Sequence, residues 1–181
     1  MKRKSKRVLI AILVVLAASS SVFAQSRKPP FQKVVERMDM EKFLGPWYVI
    51  ALLPSVFEKN ATNGIETYSL DAKGNIRVEY IFYKGSPTGK KTVMHQKGWI
   101  MDKATNTEWE IQPIWPLRLP YLIIDLADDY RYTVIGTNNF KYVWIMARKS
   151  ALSAEDYQGI LSRLEARGYK IEDIKVMPQV W

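Results

Sequence analysis

No cysteine occurs anywhere in this 181-residue sequence, and histidine occurs once, at His95. Without thiols the chain can form no disulfide, and it cannot carry a lipid on a cysteine at a processed N-terminus. Small exported domains often lean on disulfides, so a chain of this kind must rest on its hydrophobic core alone. One histidine cannot make a typical zinc site, and no serine or cysteine nucleophile is implied beside it. A glycine-rich phosphate loop is absent too. Long apolar runs are scarce. The longest, Val8 to Ala18, has eleven residues, too few to cross roughly 30 Å of hydrocarbon at about 1.5 Å per residue.

That run has a recognisable setting. Lys2, Arg3, Lys4, Lys6 and Arg7 precede it, a serine stretch follows, and Val22-Phe23-Ala24 ends it with small residues where a signal peptidase reads. Basic, apolar and small-residue regions in that order describe a secretory signal peptide, so residues 1–24 are expected to be cleaved. The full chain has 27 basic and 18 acidic residues. The signal holds five of the basic ones, so the remainder has 22 against 18, a net +4. Lys and Arg are scattered in what remains, which argues against a nucleic-acid partner.

Residues 25–37 are polar, include Pro29-Pro30, and read as an extended leader. Residues 38–181 read as one domain. Asp39 sits where an N-cap would, ahead of a single helical turn through Phe43. Eight strands are then expected at about 45–53, 62–71, 74–84, 91–102, 106–113, 120–127, 130–137 and 140–148. Asp71 to Asn75 and Gly136 to Asn139 carry the Gly and Asn that tight reversals need. In the third strand Ile76, Val78, Tyr80 and Phe82 share one face while Arg77 and Glu79 take the other. Trp109 and Ile111 likewise oppose Glu108, Glu110 and Gln112. One apolar and one polar face, strand after strand, suit an antiparallel sheet curled around an interior.

A single helix follows. Ser153 caps it, Tyr157, Ile160, Leu161 and Leu164 make its apolar stripe, and Gly168 stops it. The last strand is apolar on both sides, with Tyr142, Trp144 and Met146 on one and Val143, Ile145 and Ala147 on the other. The helix is expected to cover the outer side.

A helical turn, Gly45-Pro46-Trp47-Tyr48, an eight-strand meander, Trp144-Ile145-Met146-Ala147-Arg148 and a helix together resemble the lipocalins. The chain looks most like the bacterial lipocalins related to apolipoprotein D. Gly45 and Trp47 match the family's Gly-x-Trp, Asp129-Tyr130 its Asp-Tyr pair, and Arg148 its closing arginine. Tyr68-Ser69-Leu70, Trp115-Pro116 and Pro120-Tyr121 add to the likeness. The family's Thr before Asp-Tyr is Asp128 here, and the lipobox cysteine of lipid-anchored members is missing. The resemblance implies an all-β fold, an eight-stranded up-and-down antiparallel β-barrel with one C-terminal α-helix packed outside. It places the Arg148 guanidinium against Trp47, so that Gly45, Trp47 and Arg148 close one end of the barrel.

A barrel of eight strands leaves room for one small ligand. Likeness to the family's ligand-contacting positions singles out Tyr68, Tyr80, Trp109, Tyr121 and Trp144, and alternation adds Phe82 and Ile111. Inward apolar residues can equally be core filling. Tyrosine hydroxyls, or Lys84 at the mouth, could meet a carboxylate or phosphate head group. The function expected is binding and transport of a fatty acid, lysophospholipid or similar lipid by an exported, soluble protein. Its compartment is expected to be the periplasm, with secretion as the alternative. The expected partners are a small lipophilic ligand and, transiently, a membrane. No cofactor, metal or catalytic residue is expected, and oligomeric state is left open. Two other readings stay open, a lipocalin-fold enzyme acting on a lipophile and a filled barrel serving as an interaction module.

Overall fold

The computed structural model describes residues 32–181. The expected signal segment 1–24 and the first part of the expected leader lie outside the described residues. Helix α1 (Met40–Phe43) leads into strands β1 (Gly45–Leu52), β2 (Ala61–Leu70), β3 (Ile76–Lys84) and β4 (Lys90–Ile100). Strands β5 (Glu108–Ile114), β6 (Leu117–Leu126), β7 (Tyr132–Gly136) and β8 (Val143–Ala147) follow. After them come helix α2 (Ala154–Ala166), a short 3-10 turn (Ile171–Asp173) and a two-residue strand β9 (Lys175–Val176). Each of β1 to β8 pairs antiparallel with its neighbour, and β1 pairs with both β8 and β2, which closes an eight-stranded barrel.

The alternation read from the sequence separates two cores. Trp47, Val49, Tyr68, Val78, Tyr80, Phe82, Trp109 and Met146 pack inside the barrel. Val143, Ile145 and Ala147 face outward, where Ile160 and Leu164 of α2 cover them. Ser153 Oγ accepts from the Asp156 amide at 3.0 Å to start α2. Arg163 on α2 ties back to Asp125 of β6 at 2.7 Å.

Several strand ends differ from expectation, each for a local reason. β3 begins at Ile76 rather than 74, because the Asp71 carboxylate accepts from the amides of Lys73 (2.8 Å) and Asn75 (2.9 Å) and extends the turn. β7 begins at Tyr132 because Asp129 and Tyr130 form a turn, with Tyr130 in the left-handed region at φ 60°. β8 begins at Val143 rather than 140, since Phe140 also turns left-handed and packs its ring against Tyr169, 5.2 Å away. β6 instead starts early, at Leu117, because the reversal after β5 is confined to Trp115-Pro116.

Both termini of the domain pack more closely than the sequence suggests. The stretch before α1 is extended but not loose. The amide of Val35 donates to the Ile123 carbonyl at 3.0 Å, and buried Gln32 bonds Tyr169 Oη at 2.7 Å. The C-terminal stretch, not anticipated as an element, follows the seam where β1 and β2 diverge. β9 pairs with Ala51 and Leu52, and Gln179 Nε2 donates to the carbonyls of Val49 (2.7 Å) and Gly64 (3.2 Å). Met177 plugs that seam beside Gly64, where a Cβ would meet its sulfur at 2.4 Å.

Candidate functional site

The barrel has one closed and one open end. At the closed end α1 lies beneath the interior, and Phe43 contacts the rings of Trp47, Tyr68 and Trp109 at 5.1, 5.4 and 5.3 Å. The Arg148 guanidinium lies 3.7 Å from the centre of the Trp47 ring. Its Nη1 donates to the Pro46 carbonyl at 2.8 Å, and its Nη2 to those of Phe43 (3.0 Å) and Leu44 (3.1 Å), carbonyls that α1 leaves unpaired. Gly45 sits at φ +93°, a conformation side chains resist, and a Cβ there would stand 3.7 Å from that guanidinium. A cation over an indole face is worth roughly 0.5–2 kcal/mol depending on burial.

The Asp-Tyr pair works at the same end. Tyr130 Oη accepts from the Asp39 amide at 2.7 Å and so holds the start of α1. Asp129 takes Arg131 at 3.0 Å, and Arg131 reaches on to Asp156 of α2 at 2.7 Å.

Toward the open end the interior becomes a cavity. Its volume is about 120 Å³. Tyr80, Ile111, Tyr121 and Trp144 border it; Tyr68, Phe82 and Trp109, equally proposed from the sequence, do not. Tyr68 and Trp109 belong to the closed-end aromatic cluster, with Trp109 Nε1 donating to the Asn106 carbonyl at 2.8 Å. Phe82 is fully buried behind Tyr80, rings 4.9 Å apart. Tyr68 and Trp109 help fill the lower half of the barrel, Phe82 lies toward the open end, and the cavity occupies the rest of the upper half. Lys84 is exposed and is not among the cavity's lining residues. His95 is exposed on β4, its Nδ1 3.9 Å from Glu79. Glu110 faces the outside and pairs with Arg118 at 3.5 Å.

Two of the lining residues that were not anticipated are acidic. Glu66, on β2, and Glu58, on the β1–β2 connection, are 4% and 5% exposed. Glu66 shares the parity of Tyr68, so its inward direction was readable from alternation. A carboxylate is by default assigned to solvent, and that habit hid it. Glu66 accepts from Tyr121 Oη at 3.2 Å and from Tyr68 Oη. Burial pushes its carboxyl up to about 7; the Tyr68 hydrogen bond opposes the rise, and the nearby Glu58 adds to it. Glu58 accepts from Trp144 Nε1 at 2.8 Å and from the Ser55 amide at 3.1 Å. Burial also raises Tyr68, Tyr80 and Tyr121 well above the usual phenol range, so their hydroxyls stay protonated at neutral pH.

A β-barrel plugged by an indole under an arginine, with a pocket at the other end, agrees with comparison to known proteins. The family model described as a Lipocalin-like domain matches residues 38–179. The chain belongs to the lipocalin family. This lipocalin is 28% identical to mouse apolipoprotein D over 94% of its length and 96% of that protein's. It is 26% identical to the outer membrane lipoprotein Blc of Citrobacter freundii, covering 93% and 95%. Insecticyanin from the tobacco hornworm Manduca sexta shares the fold, with a TM-score of 0.63, 20% identity and coverage of 81% and 83%. The expected kinship with lipocalins related to apolipoprotein D is therefore shown. Within the family, this lipocalin departs from the lipid-anchored pattern in having no cysteine at all.

Proposed function

We propose that this lipocalin binds a single-chain lipophilic molecule in the upper half of its barrel and carries it as an exported protein free of a lipid anchor. Fatty acids and lysophospholipids are the first classes to try. The observation that supports this most is the shape of the interior, a pocket with apolar walls from Met94, Ile111, Leu119 and Trp144 that reaches a polar inner end at Glu66. A buried methylene contributes roughly 0.8 kcal/mol, so eight buried carbons would give about 6 kcal/mol before association costs. The closed half leaves the rest of a longer chain at the mouth.

Trp144 borders the pocket and reports on it. Titrating the purified protein with a neutral single-chain lipid is expected to change tryptophan emission with a micromolar or tighter Kd, and Trp144→Phe is expected to remove most of the change. Mass spectrometry of an organic extract is expected to find a stoichiometric lipid. A flat titration together with an empty extract sinks the reading and leaves the barrel an interaction module.

The rim suits brief contact with an anionic bilayer, where such a cargo would be collected. Val56 (87%) and Trp115 (81%) project from connections on opposite sides of the open end, with Ile114 and Leu117 beside Trp115. Lys59, Lys84, Lys90, Lys91 and Lys141 are exposed around the same end, and the one acidic residue on those connections, Glu58, is turned inward. Among the described residues no helix is long and apolar enough to cross a membrane. Protein recovered from the periplasm is expected to sediment with anionic vesicles and not with zwitterionic ones, and salt should release it. Trp115→Asp is expected to cut the bound fraction several-fold. Equal binding to both vesicle types would count against a role for the lysines.

A further inference from the structure

The inner end of the cavity has a charge character that an acidic cargo does not match. Glu58 and Glu66 line it, and no lysine, arginine or histidine does. The Tyr80 hydroxyl, on a residue 2% exposed that lines the same space, stands near Glu58 but completes no hydrogen bond of ordinary geometry. It lies in the field of both carboxylates. An orphaned buried hydroxyl is costly and marks a place where a bound group would supply the missing bond. Along one wall Tyr121, Trp144 and Tyr142 stack in sequence, ring centres 6.1 and 5.9 Å apart, which holds the wall rigid beside the two carboxylates.

We propose that the cavity's cognate ligand class is the lipophilic amine, its ammonium held between Glu58 and Glu66 and its third hydrogen bond given to Tyr80 Oη. The alkyl part then lies against the upper walls and leaves by the mouth. A fatty acid entering head first would meet two carboxylates with no cation to pair with, and must instead keep its head among the rim lysines. The inference rests on the apolar-cavity reading above and narrows it to a head-group chemistry.

Three probes of one chain length separate the possibilities: dodecylamine, dodecanol and dodecanoate, titrated by calorimetry into the periplasmic protein at about pH 8, where the amine is still protonated. Dodecylamine is expected to bind at least about tenfold tighter than dodecanoate. Glu66→Gln and Glu58→Gln are each expected to lower its affinity about tenfold and to lower that of dodecanol by clearly less. Tyr80→Phe should give a smaller loss confined to the amine. The two glutamine variants probe opposite sides of the site, so a folding defect in one leaves the other decisive. Dodecanoate binding as tightly as the amine, or amine binding indifferent to both glutamates, overturns the inference while leaving the lipid-carrier reading intact. Failure of all three probes to bind overturns both.

Discussion

Raising the pH from about 4.5 to about 7 is expected to lower the unfolding free energy by about 3 kcal/mol, and Glu66→Gln is expected to abolish that slope. The sign follows from Glu66. Its carboxyl titrates near the ordinary 4.5 when unfolded and at about 7 when buried in the barrel. The folded protein therefore holds the proton more tightly, and the stabilisation is complete below the unfolded value. It is lost as the pH climbs through the folded value, leaving a carboxylate buried beside Glu58. Tyr68 and Tyr121 cannot offset this further, since both already donate to the carboxylate. Asp71, Asp129 and Asp156 act in the opposite sense. Hydrogen bonds hold them below the ordinary 3.8, so their stabilisation is present at neutral pH and is lost only in more acidic solution. The two effects occupy separate windows, which places maximum stability near pH 4 to 5, roughly. Urea unfolding of wild type and Glu66→Gln across this range checks it. Parallel curves would mean that Glu66 titrates as a solvated group and that water fills the inner cavity.

Trp109→Ala is expected to cost about 3–5 kcal/mol, whereas Trp144→Ala costs little stability and weakens ligand binding about tenfold or more. Both tryptophans face inward and were grouped as ligand contacts from the sequence. Trp109 is fully buried, packs edge-on against Phe43, and stacks on Tyr121 with 5.6 Å between ring centres. Removing it opens a void in the half of the barrel that has no cavity to spare. A loss of that size in a domain of this length lowers Tm by about 10 °C. Trp144 is only partly buried, borders the pocket, and holds Glu58 through its indole nitrogen. Trp47→Ala is expected to behave like Trp109→Ala, with Arg148 left over empty space. Thermal melts and lipid titrations on the same preparations separate the two classes. A stable Trp109→Ala that fails to bind, with an unstable Trp144→Ala that still binds, would show that the ends of the barrel have been assigned the wrong way round.

Much of this architecture was readable because it is periodic. Ile76, Val78, Tyr80 and Phe82 alternate with Arg77 and Glu79, and a two-residue period can only be satisfied by a strand with one face buried. The two apolar faces of β8 required a cover, and the spacing of Ile160 and Leu164 supplied it. Gly45, Trp47 and Arg148 were legible for another reason, since they match separate motifs that recur together in a family. The turn at Phe140 was not legible. An aromatic residue reads as strand, and only its contact with Tyr169, far along the chain, rewards the left-handed conformation.

Alternation in the sequence by itself determined the strands and the inward face of several, and the family resemblance implied the closing of one end by an indole under a guanidinium. It could not tell a cavity from a core, because inward aromatics look alike wherever along the barrel they stand. Height in the barrel is set by strand register and by where α1 comes to rest, and both are decided by contacts between residues distant in the chain. Tertiary structure alone put Trp109 against Phe43 at the closed end and Trp144 beside the cavity. It alone folded Glu58 inward and surrounded Glu66 with tyrosines. Those two carboxylates give the pocket its chemistry, and burial, which arises only when the barrel closes, is what turns them from surface charges into a site.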